Sequence, residues 1–276
     1  MKISELFDVE GLITVVTGGA SGIGYACAEA MVVNGAVVTL MDVDPTSLAR
    51  AVETLVARAP AGAKAVHSEV VDVTDRPGLR EAFDRVAKKF GRLDVTFANA
   101  GITGGPGFLD LERQRVADRT IESITDDHID RVVRTNYLSI FATIQAAVPH
   151  MKASGGGRII VTSSISTIMA EVFVSPAYVM SKAGLTQLVR QAALELAEYN
   201  ILVNAMAPSP VATNIAGGRL KDPEAQKIFA KGSPMHRIGQ PDDMQGLALF
   251  LASPASSYIT GVQILIDGGM SLGSPD

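Results

Sequence analysis

Apolar runs of strand length alternate with stretches of helix length along almost the whole chain. Leu12-Ile13-Thr14-Val15-Val16 and residues 36–41 are near-continuous apolar runs, the pattern of strands buried on both faces of a parallel sheet. Similar runs occupy 65–71, 93–98, 158–162, 201–206 and 262–266. Between them lie helix signals. An alanine-rich segment covers 25–33. Asp44-Pro45-Thr46 opens a helix to about Ala59, and Thr74-Asp75 caps one that runs to Phe90 and closes at Gly91. A long helix is expected from Thr125-Asp126-Asp127-His128 to Ser154, with Asn136 in its middle, and another from Pro176 to about Tyr199. Shorter helices are expected over 221–231 and from Pro241 to Ala252. Strand and helix in alternation predict right-handed βαβ units. The fold class is therefore α/β: a single doubly wound, Rossmann-type domain with a mostly parallel seven-stranded sheet flanked by helices. With no internal repeat, low-complexity tract or linker, residues 1–276 read as one domain. Two segments stand outside the alternation. Residues 104–122, polar after Gly104-Gly105-Pro106-Gly107, read as an insertion at the ligand-facing edge, and 209–232 as a substrate loop.

Ligands of such sheets gather at the carboxyl ends of the strands. The residues that end strands are Gly18, Asp42, Asp72, Asn99, Ser163, Ser164 and Pro208. Thr17-Gly18-Gly19-Ala20-Ser21-Gly22-Ile23-Gly24 turns the first strand into a helix start, where glycine lets backbone approach a ligand and unpaired amides favour an anion. Asp42 ends the second strand, eighteen residues after Gly24. A carboxylate there accepts both ribose hydroxyls of an adenosine and repels a 2′-phosphate. With nothing basic in the glycine turn, the expected cofactor is NAD and not NADP. Tyr178 and Lys182, four apart, share one helix face.

Composition narrows the partners. The 276 residues carry 24 Lys and Arg against 29 Asp and Glu, a formal charge of −5, which gives no basic surface for nucleic acid. The lone Cys27 allows no internal disulfide and fits a reducing, cytoplasmic setting. The first residues lack the pattern of a signal peptide, and no run reaches the ~20 apolar residues a bilayer requires, so no membrane partner is expected. His67, His128, His150 and His236 are scattered, so no metal site is expected.

Thr17-Gly18-(x)3-Gly22-x-Gly24, Asn99-Ala100-Gly101 and Tyr178-(x)3-Lys182 behind a strand-end serine together resemble the short-chain dehydrogenase/reductase family, from about Gly11 to Gly269. The resemblance implies hydride transfer between an alcohol carbon and a nicotinamide. Tyr178 would be the base, Lys182 would lower its pKa and bind the nicotinamide ribose, Ser164 would hold the substrate oxygen, and Asn136 would hold a water that relays the proton. Ser164 stands one residue farther from Tyr178 than is usual for the family, so Ser163 and Ser166 remain alternatives; the Val-Thr-Ser-Ser strand ending favours Ser164. Carried over by motif, the cofactor contacts are Gly18, Ser21, Gly22, Ile23, Gly24, Asp42, Asp72, Val73, Asn99, Ala100, Gly101, Tyr178, Lys182, Pro208, Val211 and Thr213. Ser209 replaces the glycine usual after Pro208, which puts the local backbone in question. The pocket is expected from 165–175, 104–111 and 215–229. Its named apolar residues are Ile165, Ile168, Met169, Val172, Phe173, Phe108 and Leu109, which suit a fairly hydrophobic or cyclic secondary alcohol or ketone, while Arg219 or an arginine of the insertion leaves an anionic substrate open. The family's habit implies a homotetramer or homodimer built through 177–199 and 262–273. The alternatives are a 3-oxoacyl-thioester reductase and, against the intact Tyr178/Lys182 pair, a non-catalytic NAD-binding sensor.

Overall fold

The computed structural model describes residues 2–273; Met1 and 274–276 lie outside the described residues. A short helix α1 (Ile3–Leu6) leads in, too brief to leave a periodic signal. Then follow β1 (Ile13–Thr17), α2 (Gly22–Val33), β2 (Val37–Asp42), α3 (Pro45–Arg58), β3 (Val66–Val70), α4 (Arg76–Phe90) and β4 (Val95–Ala98). Helix α3 starts where Asp44 accepts a hydrogen bond from Thr46 N at 3.0 Å with Pro45 in the first turn. Helix α4 stops at Gly91, which takes the left-handed conformation.

The second half adds α5 (Asp126–Val133), α6 (Ser139–Ala153), β5 (Gly157–Thr162), α7 (Pro176–Leu196), β6 (Ile201–Pro208), α8 (Pro223–Ala230), α9 (Gln245–Ala252) and β7 (Gln263–Ile266). The sheet order is β3-β2-β1-β4-β5-β6-β7 and every strand pair is parallel. Side chains alternate between its faces, as the two-residue period of a strand requires. Val15, Ala98 and Ile159 join α4, α6 and α7 in one core; Val16, Phe97 and Ile160 join α2, α3 and α9 in the other. The order reverses between β1 and β4, which opens a crevice at their carboxyl ends.

Two expectations are revised. The helix expected from Thr125 to Ser154 is interrupted by a π-turn, Arg134–Leu138, between α5 and α6. Its extra residue turns Asn136 inward, where Oδ1 accepts from Ile102 N at 2.8 Å and Nδ2 donates to Ile102 O at 2.9 Å. The second concerns detail: the segment 104–122, read as an insertion at the ligand-facing edge, is docked against residues 172–174. Pro106 bridges to Val174 and Leu109 to Arg115, and Leu109 N donates to Val172 O at 3.2 Å.

One side chain ties the strand ends together. Asn99, just past β4, donates from Nδ2 to Thr17 O (3.1 Å) and Gly18 O (3.2 Å), and its Oδ1 accepts from Thr162 Oγ1 (2.8 Å). Thr17 Oγ1 donates to Phe97 O and accepts from Asn99 N at 3.1 Å. Removing the amide strands several buried polar groups. Asn99→Ala is expected to destabilise the protein by about 2–4 kcal/mol, seen as a lower urea midpoint at unchanged slope; an unchanged midpoint would show that the seam is dispensable.

Candidate active site

The crevice is a cleft of about 700 Å³. One end is formed by the glycine turn. Gly18 has φ 64° and its N–H donates to Met41 O at 2.7 Å. Ser21 holds the N-cap position of α2 but its side chain makes no capping bond, so the first-turn amides near Gly22 and Ile23 are not satisfied by it. A Cβ at Gly24 would run into the Gly18 carbonyl and the Asn99 amide, so Gly24 shapes the turn from behind. Beside the turn, Asp42 accepts from Ala20 N (3.1 Å, Oδ2) and Asp44 N (3.2 Å, Oδ1). Asp72 Oδ1 accepts from Thr74 N at 2.8 Å and Thr74 Oγ1 at 2.7 Å. Among the described residues no Lys or Arg lines this end of the cleft; its walls are Val43, Val73 and the two carboxylates. Uncapped amides beside a fixed carboxylate suit a pyrophosphate joined to a ribose diol.

The middle of the cleft is built by β5 and α7. Ser175 caps α7 by accepting from Ala177 N at 3.3 Å, with Pro176 in the first turn, and the helix then sets Tyr178 and Lys182 one turn apart. Lys182, 4 % exposed, donates from Nζ to Thr162 O at 2.8 Å and stands 5.8 Å from the centre of the Tyr178 ring. Burial pushes the Tyr178 hydroxyl up to about 12; the Ser164 side chain opposes this and the Glu171 carboxylate adds to it. Burial likewise pushes the Lys182 ammonium down to about 8. Without an added cation, then, the proton belongs to the tyrosine.

The three serines have different partners. Ser163 Oγ donates to Gln263 Oε1 on β7 at 3.0 Å. Ser166 Oγ donates to Glu171 and lies 2.8 Å from Ser164 Oγ. Ser164 is the one of the three that acts on the Tyr178 hydroxyl, favouring its ionised form.

A family model described as enoyl-(acyl carrier protein) reductase matches residues 18–271. The chain is 33% identical to an L-rhamnose-1-dehydrogenase of Scheffersomyces stipitis, over 95% of this chain and 96% of that one. It is 34% identical to a 3-oxoacyl-[acyl-carrier-protein] reductase of Thermotoga maritima, over 95% and 98%. A crystal structure of a short-chain type dehydrogenase/reductase from Mycobacterium marinum superposes with a TM-score of 0.87 at 30% identity, covering 98% of this chain and 99% of that one. The chain belongs to the short-chain dehydrogenase/reductase family.

Of the motif residues of this dehydrogenase/reductase, sixteen positions named from sequence open on the one cleft: Gly18, Ser21, Gly22, Ile23, Asp42, Asp72, Val73, Asn99, Ala100, Gly101, Ser164, Tyr178, Lys182, Pro208, Val211 and Thr213. Gly24 and Asn136 do not line it. Asn136 has its amide committed to Ile102, so a water relay by its side chain would compete with those bonds. Ser209 has no left-handed backbone, so the missing glycine is not required there. The stretches 165–175, 104–111 and 215–229 all reach the cleft. Of the apolar residues named for it only Ile165 and Phe173 line it, and Ile168 is 53 % exposed. Sequence reasoning passed over Glu171, which lines the cleft with its acid pKa raised by burial. A lone acid within 168–174, otherwise mostly apolar, was the available signal.

These contacts rank the serines: Ser164→Ala is expected to lower kcat/KM by ~10²–10⁴-fold, and Ser163→Ala by under about tenfold. Equal losses would undo the ranking. Lys182 gives a second test. Its folded pKa of about 8 lies below the ordinary 10.5, so between these values the unfolded chain holds a proton the folded chain lacks. Stability therefore rises with pH across that window, and below it the folded state bears the whole cost of the buried charge. Lys182→Met should raise Tm of the cofactor-free protein at pH 7, by an amount that shrinks toward pH 10.5, while removing activity. A lower Tm at pH 7 would refute the assignment.

Proposed function

We propose that this chain is an NAD-dependent oxidoreductase interconverting a secondary alcohol and a ketone on a fairly hydrophobic or cyclic body. The observation that carries the proposal is the Ser164–Tyr178–Lys182 group opening on the same cleft as Asp42. When bound, the nicotinamide supplies a hydride acceptor or donor and, oxidised, a positive charge. Every other task falls to the chain. In oxidation, Ser164 donates to the substrate oxygen and holds it beside Tyr178. Tyr178, drawn below its free-protein pKa of about 12 by the added cation, accepts the hydroxyl proton. Lys182 spends one of its three donors on Thr162 O and keeps two for Tyr178 and a ribose. In reduction the same proton travels from Tyr178 to the carbonyl oxygen. Asn136 would take part in the relay only through its backbone or by yielding its bonds to Ile102.

NAD is favoured because Asp42 and Asp72 form an end with no cation among the described residues, where a 2′-phosphate would meet like charge. Similarity to the Thermotoga maritima enzyme supports a second reading, a 3-oxoacyl-thioester reductase. Turnover of acetoacetyl-CoA with NADPH in preference to NADH would favour it. A cytoplasmic homotetramer or homodimer fits the family and the exposed apolar residues Leu194 on α7 and Leu272 after β7, 78 % and 87 % exposed. Wild-type kcat/KM should favour NAD over NADP, and Asp42→Ser should narrow that ratio by ~10–100-fold. A wild-type preference for NADP would overturn the cofactor assignment.

A further inference from the structure

The cleft that holds Tyr178 is also lined by an arginine, Arg219, and a second, Arg119, stands in a recess beside it. Arg219 sits in the short helical stretch Ile215–Lys221 and lines both the main cleft and an adjoining recess of about 230 Å³. The recess is otherwise lined by Thr103, Gly105, Pro106 and Arg119. Nε of Arg219 is buried and has no hydrogen-bond partner. No carboxylate among the described residues pairs with Arg219; its guanidinium stands 5.8 Å from the centre of the Phe229 ring. Its nearest charge is of its own sign. Burial first, then Arg119, hold its pKa below the ordinary value. Arg119 in turn reaches only the exposed Asp118, at 3.9 Å.

Other arginines of the chain are treated differently. Arg85, Arg92 and Arg237 each hold a carboxylate at 2.6–2.7 Å, and Arg58 holds Glu29. Two guanidinium groups brought together from separate loops, one with a buried donor unmet, are unfavourable unless something anionic arrives. A guanidinium is the side chain best shaped to take a carboxylate by two parallel hydrogen bonds. The cleft beside Arg219 has an apolar patch: Phe173 and Phe229 meet edge to face at 5.3 Å, and Leu220 packs with them. Glu171 lines the same cleft.

We propose that the substrate carries a carboxylate, or a like oxyanion, bound by Arg219 with help from Arg119, at the end of an apolar body whose other end bears the carbinol or carbonyl. This rests on the oxidoreductase reading above, which it narrows to hydroxy and oxo acids. The dinucleotide's own phosphates are the other source of negative charge, and the test separates the two.

The experiment measures binding without turnover. Calorimetry follows cyclohexanecarboxylate, benzoate and hexanoate, each beside its neutral amide, titrated into the protein with and without NADH. In wild type at least one acid should bind ~10-fold or more tightly than its amide. Arg219→Gln should abolish the difference, Arg119→Gln should reduce it, and Arg219→Lys should restore part of it. All three variants should bind NADH as wild type does. Tyr178→Phe, inactive on the reading above, should keep the full acid preference. No preference in any of the three pairs overturns the proposal. So does a loss of NADH affinity in Arg219→Gln with the acid preference intact, since the arginine would then serve the cofactor's phosphates. If the acid preference survives but no alcohol or ketone is turned over with NAD or NADP, the oxidoreductase reading fails while the anion site stands. If neutral alcohols turn over and acids have no advantage, the anion site alone fails.

Discussion

A single run of hydrogen bonds couples the glycine turn to the buried lysine of α7. Thr17 and Gly18 at the start of the glycine turn are held by Asn99; Asn99 is held by Thr162; and the carbonyl of Thr162 holds the ammonium of Lys182. The run crosses β1, β4 and β5 at their carboxyl ends, where the parallel ladders finish and backbone groups would otherwise lack partners. In so dry a place each bond is stronger, and an unmade one costs more, than in water. The relative position of glycine turn and lysine is thereby set by the sheet and not by flexible loops. The same network explains how a 4 % exposed lysine is tolerated: one donor is met by a carbonyl, and the unfavourable remainder is the depressed pKa itself.

Charge is graded along the cleft. Two carboxylates, Asp42 and Asp72, stand beside the glycine turn, the lone ammonium of Lys182 beside Tyr178, and Arg219 where the recess that holds Arg119 adjoins the cleft. Such a gradient orients a ligand before any close contact forms, because the ends of an extended molecule meet fields of opposite sign. Glu171 complicates the middle. Its carboxylate accepts from Ser166, which touches Ser164. An acid so placed opposes ionisation of Tyr178, so the loop after β5 has an electrostatic influence on the tyrosine as well as a steric one.

Much of this was legible before any coordinates, for local reasons. Strands buried on both faces write themselves as apolar runs, and the observed strand ends fall within one or two residues of the runs at β1, β2, β5 and β6. The glycine turn and the Tyr178/Lys182 spacing are each contained in one turn of chain, so their geometry follows from their own residues. What escaped was what depends on distant partners. The choice among three serines is made by Gln263 on the last strand and Glu171 in a loop. The arm at 106–115 declares itself only through Val172 and Val174, more than fifty residues on. Which apolar residues of 104–111 and 165–175 line the cleft escaped too, since Ile165 and Phe173 do and the exposed Ile168 does not, because a loop has no periodicity from which to infer direction.

The π-turn at Arg134–Leu138 has a meaning beyond the placing of Asn136. One additional residue rotates everything that follows by roughly 100° about the helix axis. Before the turn, α5 leans on α7; after it, α6 leans on α4 and the sheet. What looks like one rod is therefore two surfaces out of phase, each matched to a different neighbour. The apolar stripe of the segment cannot be slid or trimmed by a residue on one side without turning the other side out of its groove. Length here is a specification as strict as chemistry: the segment would tolerate exchange of many of its side chains more readily than the loss of any one of its links.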